Sequence, residues 1–371
     1  MTPSVRIDGR RVVIDGHAVP ARWLRDHGDD PASLDPDTKQ RKVDTFSIPT
    51  DITARTVSVD GGRLDVEWSD GGRTGHDLSG LARVVAGRRE LQPGVGGPFS
   101  VDADLDLWRS APEVTWFDIG VLDDDAVWRD ALAHLRRFGW VAFEGAELGE
   151  GPSQRLAARI GYPRSCIFGT LWNMNSGSFE HMDSAYESDD LDVHTDGTYS
   201  HDAPGTIIFA QQRKTGVGGD SVLVDGFAAA LDFQTAQPDA AELLTRYAVR
   251  AHYLEPGVHL MAERPPLRLD RDGRLVQVSF NNYDRSPLLP AEGLVDEVID
   301  AYNAFRAVFS DPGRALFHEW EPGRLLVFDN WRCFHGRTSF TGDRHFKGCY
   351  TNHEDLEGAY RVAGLMAPAV T

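Results

Sequence analysis

Short stretches rich in β-branched and aromatic residues, each ended by turn residues, recur through the C-terminal two thirds of this chain. They constrain its fold more than any other feature. Four of them lie at residues 206–210, 221–224, 275–280 and 324–328. An amphipathic helix, marked by apolar residues at 294, 295, 298, 302 and 305, interrupts the series. Many short strands with helical insertions are typical of closed antiparallel architectures, so we predict a mainly β fold with helices, a double-stranded β-helix or jelly roll.

The first hundred residues predict a separate, smaller domain. Residues 54–59 and 63–68 alternate in polarity on either side of a Gly-rich turn, which is typical of a β-hairpin. Residues 91–98 then concentrate Gly and Pro with little periodicity, as linkers do. We therefore predict a small β-rich N-terminal domain over residues 1–95 and a jelly-roll domain over residues 100–371. The second domain begins with helices near 127–135 and 153–160.

The charge and composition of the 371-residue chain limit the partners it can have. Its formal net charge is -19, whereas nucleic acids and anionic membranes attract basic surfaces. No apolar run reaches membrane-spanning length, and the first residues lack the pattern of a secretory leader. Three scattered cysteines are too few for a disulfide framework, and we expect buried free thiols. We expect a soluble, cytoplasmic protein that acts on a small molecule, with no nucleic-acid or membrane partner.

His194 and Asp196, separated by one residue, offer two metal ligands at the predicted end of a strand. Residues i and i+2 of a strand project to the same side, so both side chains can reach one ion. The same spacing occurs three more times, at residues 27 and 29, 181 and 183, and 353 and 355. The pairs at 27 and 353 lie in charged, turn-like surroundings, where a solvated surface pair is expected. The strand context therefore favours the pair at 194 and 196.

A third ligand and a candidate anion-binding residue follow far downstream. His335 comes after the apolar stretch 324–328 and before Gly336, which lets the backbone approach a ligand closely. Nine residues later, Arg344 could hold a carboxylate with its bidentate guanidinium. Taken singly, a buried hydrogen-bonded histidine and a surface arginine are the ordinary roles of these residues. Taken together, two imidazoles and one carboxylate are the ligand set of non-haem Fe(II) oxygenases.

Two other classes of enzyme lack their usual motifs in this chain. The sequence contains neither standard Gly-rich phosphate loop nor the G-x-S-x-G turn that carries the nucleophile of many hydrolases. Nucleotide transfer and hydrolysis therefore lose their main support.

Several segments around these residues resemble the 2-oxoglutarate-dependent oxygenases typified by trimethyllysine dioxygenase and γ-butyrobetaine hydroxylase. They are residues 194–199, 218–219 with 223–227, 280–285, 329–332, 335–337 and 340–342, and they look most like the trimethyllysine branch. Weaker similarity extends to residues 23–26 and 39–44. The resemblance implies an enzyme that uses Fe(II), 2-oxoglutarate and O2 to hydroxylate an unactivated C–H bond. Its substrate would be a small cationic amino acid, similar to trimethyllysine or a betaine, and its co-products succinate and CO2.

The resemblance also implies roles for individual residues. His194, Asp196 and His335 would bind the iron, and Arg344 and Ser221 would bind 2-oxoglutarate. Aromatic faces would hold the quaternary ammonium group, which offers no hydrogen-bond donor. The residues at matching substrate-binding positions are Phe168, Trp172, Asp183, Tyr186, Asn281 and Tyr350. Phe168 stands where the family has tyrosine, the segment from 172 to 186 is one residue longer than in the family, and core packing is the alternative role of each aromatic ring.

The N-terminal part departs from the family, which binds a structural zinc there through three Cys and one His. The corresponding positions here read His27 to Ser33 and Asp70 to Gly72, without those ligands, so we predict no structural zinc. A homodimer is expected by analogy with relatives. Two other functions stay open. One is hydroxylation or desaturation of a different amino acid or betaine in a biosynthetic pathway, and the other is a non-catalytic metal-binding jelly roll that senses a small molecule.

Overall fold

The computed structural model of the chain describes residues 3–34, 36, 42–43, 48–86, 97–175, 188–286 and 295–367. The chain divides between Pro93 and Gly94 into two compact units. Within the described ranges, no helix combines the length and apolar character needed to cross a membrane. Two of the predicted substrate-binding residues, Asp183 and Tyr186, lie outside these ranges, as does most of the predicted linker.

Two three-stranded antiparallel meanders and two helices build the N-terminal unit. The first meander consists of β1 (Val5–Asp8), β2 (Arg11–Ile14) and β3 (His17–Pro20), followed by α1 (Ala21–Asp26). The second consists of β4 (Ala54–Asp60), β5 (Arg63–Trp68) and β6 (Arg73–Asp77), followed by α2 (Leu78–Ala86). Alternate residues of β5, Leu64, Val66 and Trp68, are buried in its core. The predicted hairpin at 54–68 is confirmed, and β6 extends it.

Two sheets of the C-terminal unit share an inner core and confirm the predicted jelly roll. The first sheet has the order β7 (Trp116–Asp118), β8 (Trp140–Glu144), β18 (Leu325–Asp329), β11 (Thr206–Lys214), β20 (Arg344–Thr351) and β9 (Trp172–Asn175). The second has the order β10 (Leu191–His194), β19 (Cys333–Arg337), β12 (Ser221–Asp225) and β17 (Leu316–His318). Two hairpins accompany them, β13 (Val249–Glu255) with β14 (Val258–Arg264), and β15 (Leu267–Leu269) with β16 (Leu275–Val278).

Helices pack on the outer faces of both sheets. A core with the six-stranded sheet is formed by α3 (Asp125–Phe138), α4 (Gly151–Ile160) and α8 (His353–Val362). A second outer core is formed by α5 (Gly226–Ala236), α6 (Pro238–Arg246) and α7 (Val295–Phe309) with the four-stranded sheet. Single 3-10 turns lie at Ile119–Asp123 and Pro312–Arg314. Because the six-stranded sheet is covered outside and packed against the other sheet inside, its central strands β8, β11 and β18 are apolar on both faces.

Alternation along each strand separates the outer core from the inner one. In β18, Leu325 and Val327 pack toward the helices, whereas Leu326 and Phe328 pack between the sheets. The neighbouring strands β8 and β11 divide their side chains in the same way. Full burial of one such side chain stabilises the fold by about 1.5 to 3 kcal/mol. A shift of one residue in register would exchange the two faces of a strand and lose this stabilisation at every position. The core between the sheets therefore fixes which side chains of each strand point toward the space between them.

Some details differ from the sequence predictions. The strand predicted at 206–210 continues to Lys214, because β11 pairs with β20 along almost its whole length. Cys333 and Cys349 are buried free thiols as predicted, but Cys166 is only half-buried. His353 is not part of a solvated surface pair, since its ring stacks on Trp331 with centroids 3.9 Å apart.

Candidate active site

Three side chains from the four-stranded sheet and its loops converge on one point. His194 Nε2 lies 3.3 Å from Asp196 Oδ1, and His335 Nε2 lies 3.5 Å from the same oxygen. The two imidazole rings are 4.4 Å apart between centroids. All three ligand atoms lie within 4.8 Å of one another, and this is the one such cluster of His, Cys, Asp or Glu in the described part of the chain that could hold a metal ion.

Strand pairing explains why residues so distant in sequence meet. His335 lies in the middle of β19, which pairs with β10 on one side and β12 on the other. The register of β10 and β19 sets His194 directly opposite His335. Cross-strand neighbours in an antiparallel pair have their side chains close together. Gly336 lines the cavity and also serves this pairing, because a Cβ there would lie 2.5 Å from the carbonyl oxygen of Leu191.

Burial and mutual charge shift the pKa of all three groups. Burial lowers the pKa of His335 to about 3, so its imidazole is neutral. Burial alone would also lower the pKa of His194, but the Asp196 carboxylate outweighs it and raises that pKa. The two imidazoles in turn hold the pKa of Asp196 far below its usual range, against the effect of burial. His194 Nδ1 lies 2.8 Å from the carbonyl oxygen of Asp192, which fixes this nitrogen as the donor and leaves Nε2 to bind an ion.

Asn330 holds the backbone of the metal loop. Its Oδ1 accepts a hydrogen bond from Asp196 N at 2.9 Å, and its Nδ2 donates to the carbonyl oxygens of Asp196 and Pro204 at 3.1 and 2.9 Å. Asn330 belongs to the turn between β18 and β19, so the same turn also fixes the start of the strand that carries His335. The segment 329–332, noted for its resemblance to the family, thus supports the backbone around Asp196 and His335 and is not part of the cavity lining.

Tyr350 links the metal cluster to the six-stranded sheet. Its hydroxyl donates a hydrogen bond of 2.8 Å to Asp196 Oδ2, the oxygen that does not face the two imidazoles. The tyrosine ring lines the same cavity as the cluster and packs near Trp172, with centroids 5.7 Å apart. Tyr350 was predicted to contact substrate, and the structure shows that its hydroxyl orients the Asp196 carboxylate.

A desolvated guanidinium lines the same cavity as the metal cluster. Burial, reinforced by the charge of Arg337, lowers the pKa of Arg344 to about 9. The Arg344 guanidinium carbon lies 4.1 Å from the ring centroid of Phe346. Ser221 also lines this cavity, and its Oγ accepts a hydrogen bond of 2.9 Å from Trp320 Nε1, which leaves the Ser221 hydroxyl hydrogen free to be donated. The buried Arg337 guanidinium, the partly buried Arg344 guanidinium and an oriented hydroxyl are a fitting environment for a carboxylate.

The remaining wall of the cavity is largely aromatic. Of the residues predicted to bind substrate, Phe168, Trp172, Asn281 and Tyr350 line it. Further cavity residues that the sequence did not single out are Met174, Tyr199, Phe209, Asp284, Arg337 and Phe346. Trp172 lies close to Phe209 as well as to Tyr350, with the Trp172 and Phe209 centroids 5.4 Å apart.

Alternate residues of strand β20 form part of the cavity wall. Arg344, Phe346 and Tyr350 all line the cavity, and they occupy every second position except 348. That position is glycine, and a Cβ there would lie 2.3 Å from the Trp172 ring, so only glycine leaves room for the indole. The alternation was visible in the sequence once Arg344 had been chosen.

In the N-terminal unit, the residues after α1 that correspond to the family's zinc-binding segment form hydrogen bonds with β6. Asp29 N donates to the Gly75 carbonyl oxygen at 2.9 Å, and Gly75 N donates to Asp30 Oδ2 at 3.0 Å. Asp77 N also donates to Asp29 Oδ2. These contacts join the loop after α1 to strand β6. Next to them, burial lowers the pKa of His76 to about 4.

A jelly roll with a buried set of two imidazoles and one carboxylate defines the class of non-haem iron oxygenases. The family model "Taurine catabolism dioxygenase TauD, TfdA family" matches residues 102–350. The solved structure of AAD-2 in complex with Mn(II) and N-oxalylglycine has the same fold, with a TM-score of 0.51 and 12% sequence identity over 67% of this chain and 97% of that one.

Individual relatives agree with the family model over most of the chain. The trimethyllysine dioxygenase of Meyerozyma guilliermondii is 31% identical over 90% of this chain and 87% of its own length. The human mitochondrial trimethyllysine dioxygenase is 31% identical over 93% and 82%. The γ-butyrobetaine dioxygenase of Pseudomonas sp. strain AK-1 is 28% identical over 92% and 90%. The chain therefore belongs to the TauD/TfdA dioxygenase family, and it is an enzyme of that class.

Proposed function

We propose that this chain is an Fe(II)- and 2-oxoglutarate-dependent dioxygenase that hydroxylates an unactivated C–H bond of a small cationic amino-acid substrate, similar to trimethyllysine or a betaine. The observation that carries the proposal is the buried cluster of His194, Asp196 and His335, which shares one cavity with the desolvated guanidinium of Arg344. The names of the relatives support the substrate class.

The donor set fits Fe(II), because neutral imidazole and ionised carboxylate are the forms that bind a metal and three ligands leave positions open. His194, Asp196 and His335 would hold the ion on one side, and Tyr350 and Asn330 keep the Asp196 carboxylate and backbone in place. Bound iron with 2-oxoglutarate and O2 supplies the oxidation, in which substrate C–H becomes C–OH while 2-oxoglutarate becomes succinate and CO2.

Arg344 and Ser221 would bind a carboxylate of 2-oxoglutarate. A guanidinium buried beside a second one, Arg337, is stabilised when an anion enters. Trp320 keeps the Ser221 hydroxyl turned so that it can donate to the same anion. The protein thus binds and orients the co-substrate at the metal, and the surrounding Phe340 and Phe346 rings keep water away from the ion pair.

The aromatic wall would hold the cationic end of the substrate. Trp172, Phe168 and Tyr350 line the cavity, and a cation over the face of such a ring gains about 0.5 to 2 kcal/mol per contact. The residues named from the resemblance at 183 and 186 are proposed to complete this wall. These rings position the substrate chain, and that position decides which C–H bond faces the metal.

Succinate release with Fe(II) and 2-oxoglutarate tests the proposal, with Nε-trimethyllysine, γ-butyrobetaine and lysine compared as substrates. His194→Ala should abolish both turnover and binding of Mn(II). His201→Ala, which removes an exposed imidazole seven residues away, is the matched control and should keep both. Full activity in His194→Ala would contradict the metal assignment. If none of the three compounds supported succinate release, the proposed substrate class would be contradicted.

Four further features are proposed on the sequence alone. They are folding domains over residues 1–95 and 100–371, a homodimer, a cytoplasmic location and the lack of a structural zinc. Vertebrate relatives carry the word mitochondrial in their names, so the location needs a direct test in the source cell. Light scattering on the purified protein and metal analysis of samples loaded with iron check the dimer and the zinc.

A further inference from the structure

An ion pair beside the proposed 2-oxoglutarate site joins the end of a strand in one sheet to the start of a strand in the other. The Nζ atom of Lys214, the last residue of β11, lies 3.3 Å from Asp220 Oδ1. Asp220 immediately precedes Ser221, the first residue of β12. The side chains of Lys214 and Asp220 are only 19% and 27% exposed, yet neither residue lines the cavity itself.

A bulge in β11 turns Lys214 toward the cavity side of the six-stranded sheet. The register of β11 with β20 shifts by one residue between Gln211 and Arg213. After the shift, Lys214 lies opposite Arg344, and residues opposite each other in an antiparallel pair point to the same face. Without the extra residue, Arg213 would take that place. The Arg213 side chain is instead 61% exposed, on the other face.

Backbone hydrogen bonds connect Asp220 to the strand that carries Arg337. Asp220 N donates to Thr338 Oγ1 at 3.0 Å, and Thr338 N donates to the Asp220 carbonyl oxygen at 3.0 Å. Thr338 directly follows Arg337, which ends β19 and lines the cavity. Asp220 thus joins the start of β12 to the end of β19, and Lys214 joins both to β11.

The Arg344 side chain packs on the residue before Asp220. A Cβ built on Gly219 would lie 3.2 Å from Arg344 Cδ and Nε, so the arginine side chain lies close against this backbone. Burial and the charge of Arg337 lower the pKa of Arg344 to about 9, and the Asp220 carboxylate opposes them. Through contact and charge, the position of Asp220 therefore affects the guanidinium proposed to bind 2-oxoglutarate.

We propose that Lys214 and Asp220 are positioning residues for 2-oxoglutarate. Their ion pair fixes the backbone from Gly219 to Ser221 relative to β20, so that the Arg344 guanidinium and the Ser221 hydroxyl keep the separation that one carboxylate requires. Neither residue touches the co-substrate, so loss of the pair weakens its binding and leaves turnover at saturation in place. This inference rests on the proposed function and makes its co-substrate site more specific.

Steady-state assays of Lys214→Met test the proposal. The KM for 2-oxoglutarate should rise by about 3- to 10-fold, the usual value of one hydrogen-bonded contact, while kcat at saturating 2-oxoglutarate stays within about two-fold of wild type. Lys214→Arg can still pair with Asp220 and should keep the wild-type KM within about two-fold. Arg213→Met is the matched control, because it breaks a pair with Asp343 in which both side chains are more than half exposed.

A double variant separates positioning from the simple attraction of an anion by a positive charge. Lys214→Met with Asp220→Asn has the same net charge as the wild-type protein but lacks the ion pair. If the pair positions the site, the KM for 2-oxoglutarate should stay raised by about 3- to 10-fold in the double variant. A return to the wild-type KM would overturn the proposal in favour of long-range charge, and so would an unchanged KM in Lys214→Met.

Calorimetry of 2-oxoglutarate added to Mn(II)-loaded protein gives a second readout that does not need turnover. The Kd for 2-oxoglutarate should rise in Lys214→Met and in the double variant by the same factor as the KM, with the Kd for Mn(II) unchanged. A parallel loss of Mn(II) affinity would indicate a general disturbance of the site and overturn the specific role. Failure of the wild-type protein to release succinate with any cationic substrate would instead count against the proposed function, and the calorimetric comparison would still report on Lys214.

Discussion

Removal of one hydroxyl, in Tyr350→Phe, should weaken metal binding without removing a metal ligand. The hydroxyl donates a 2.8 Å hydrogen bond to Asp196 Oδ2, and Tyr350 is only 8% exposed, so water cannot readily replace it. A hydrogen bond to a charged group is worth about 1.5 to 3 kcal/mol. Since about 1.4 kcal/mol corresponds to a factor of ten, affinity for the ion should fall by about 10- to 100-fold.

The phenylalanine keeps the aromatic face, which separates this effect from substrate binding. We therefore expect the Fe(II) concentration for half-maximal activity and the Kd for Mn(II) to rise together. At saturating Fe(II), the KM for the cationic substrate should stay within about two-fold of wild type, because ring contacts dominate the attraction of a quaternary cation.

Anaerobic Mn(II) titration, followed by the electron paramagnetic resonance signal of the free ion, measures the affinity directly. Tyr162→Phe is the matched control, since it removes a hydroxyl from a tyrosine that is 62% exposed. An unchanged Mn(II) affinity in Tyr350→Phe would refute the idea that this hydroxyl orients Asp196. A large rise in substrate KM with normal metal affinity would assign Tyr350 to substrate binding alone.

Three further predictions concern other parts of the chain. Arg332→Met leaves the buried Asp225 carboxylate without the guanidinium that contacts it at 2.7 Å, and should lower the free energy of unfolding in urea by about 3 to 5 kcal/mol. Adding Asp225→Asn should restore part of this loss, and a purely additive loss would contradict the prediction. Ser221→Ala should raise the KM for 2-oxoglutarate by about 3- to 10-fold and leave the KM for the amine unchanged in steady-state assays. His76 has a folded pKa of about 4 and an ordinary value of 6.5, so it stays neutral while the unfolded chain binds a proton. Stability of the N-terminal unit should therefore fall by about 3 kcal/mol between pH 6.5 and 4, as measured by hydrogen exchange in β6, and His76→Gln should remove this part of the pH dependence.

The sequence predicted the jelly roll because its central strands are short and strongly apolar. In β18, both faces are buried, so a continuous apolar run marks the strand in the sequence without any alternation of polar and apolar residues. Helix α5 was missed for the corresponding reason. Residues 226–230 are buried on nearly every side, so no polar face marks the helical period. Three-residue strands such as β7 and β17 are too short to show alternation.

The metal cluster was predictable because its ligands keep a spacing that strand geometry explains. The role of Asn330 was not predictable, since it depends on a turn that contacts the backbone of Asp196 from 134 residues farther along the sequence. The same holds for Trp320, whose bond to Ser221 depends on the pairing of β12 with β17. Contacts of this kind depend on the register between strands that are distant in the sequence, and a local sequence pattern does not predict that register.

Strand β20 limits how enzymes of this kind can change. Its inner face supplies a guanidinium, a ring, an open space for the Trp172 indole and the hydroxyl that bonds to Asp196, in four alternate positions. Insertion or deletion of a single residue among these positions would turn those on one side of the change away from the cavity and break the set. This strand can therefore diverge by substitution but not by change of length. Insertions that alter substrate preference among homologues should accumulate in the connections between strands.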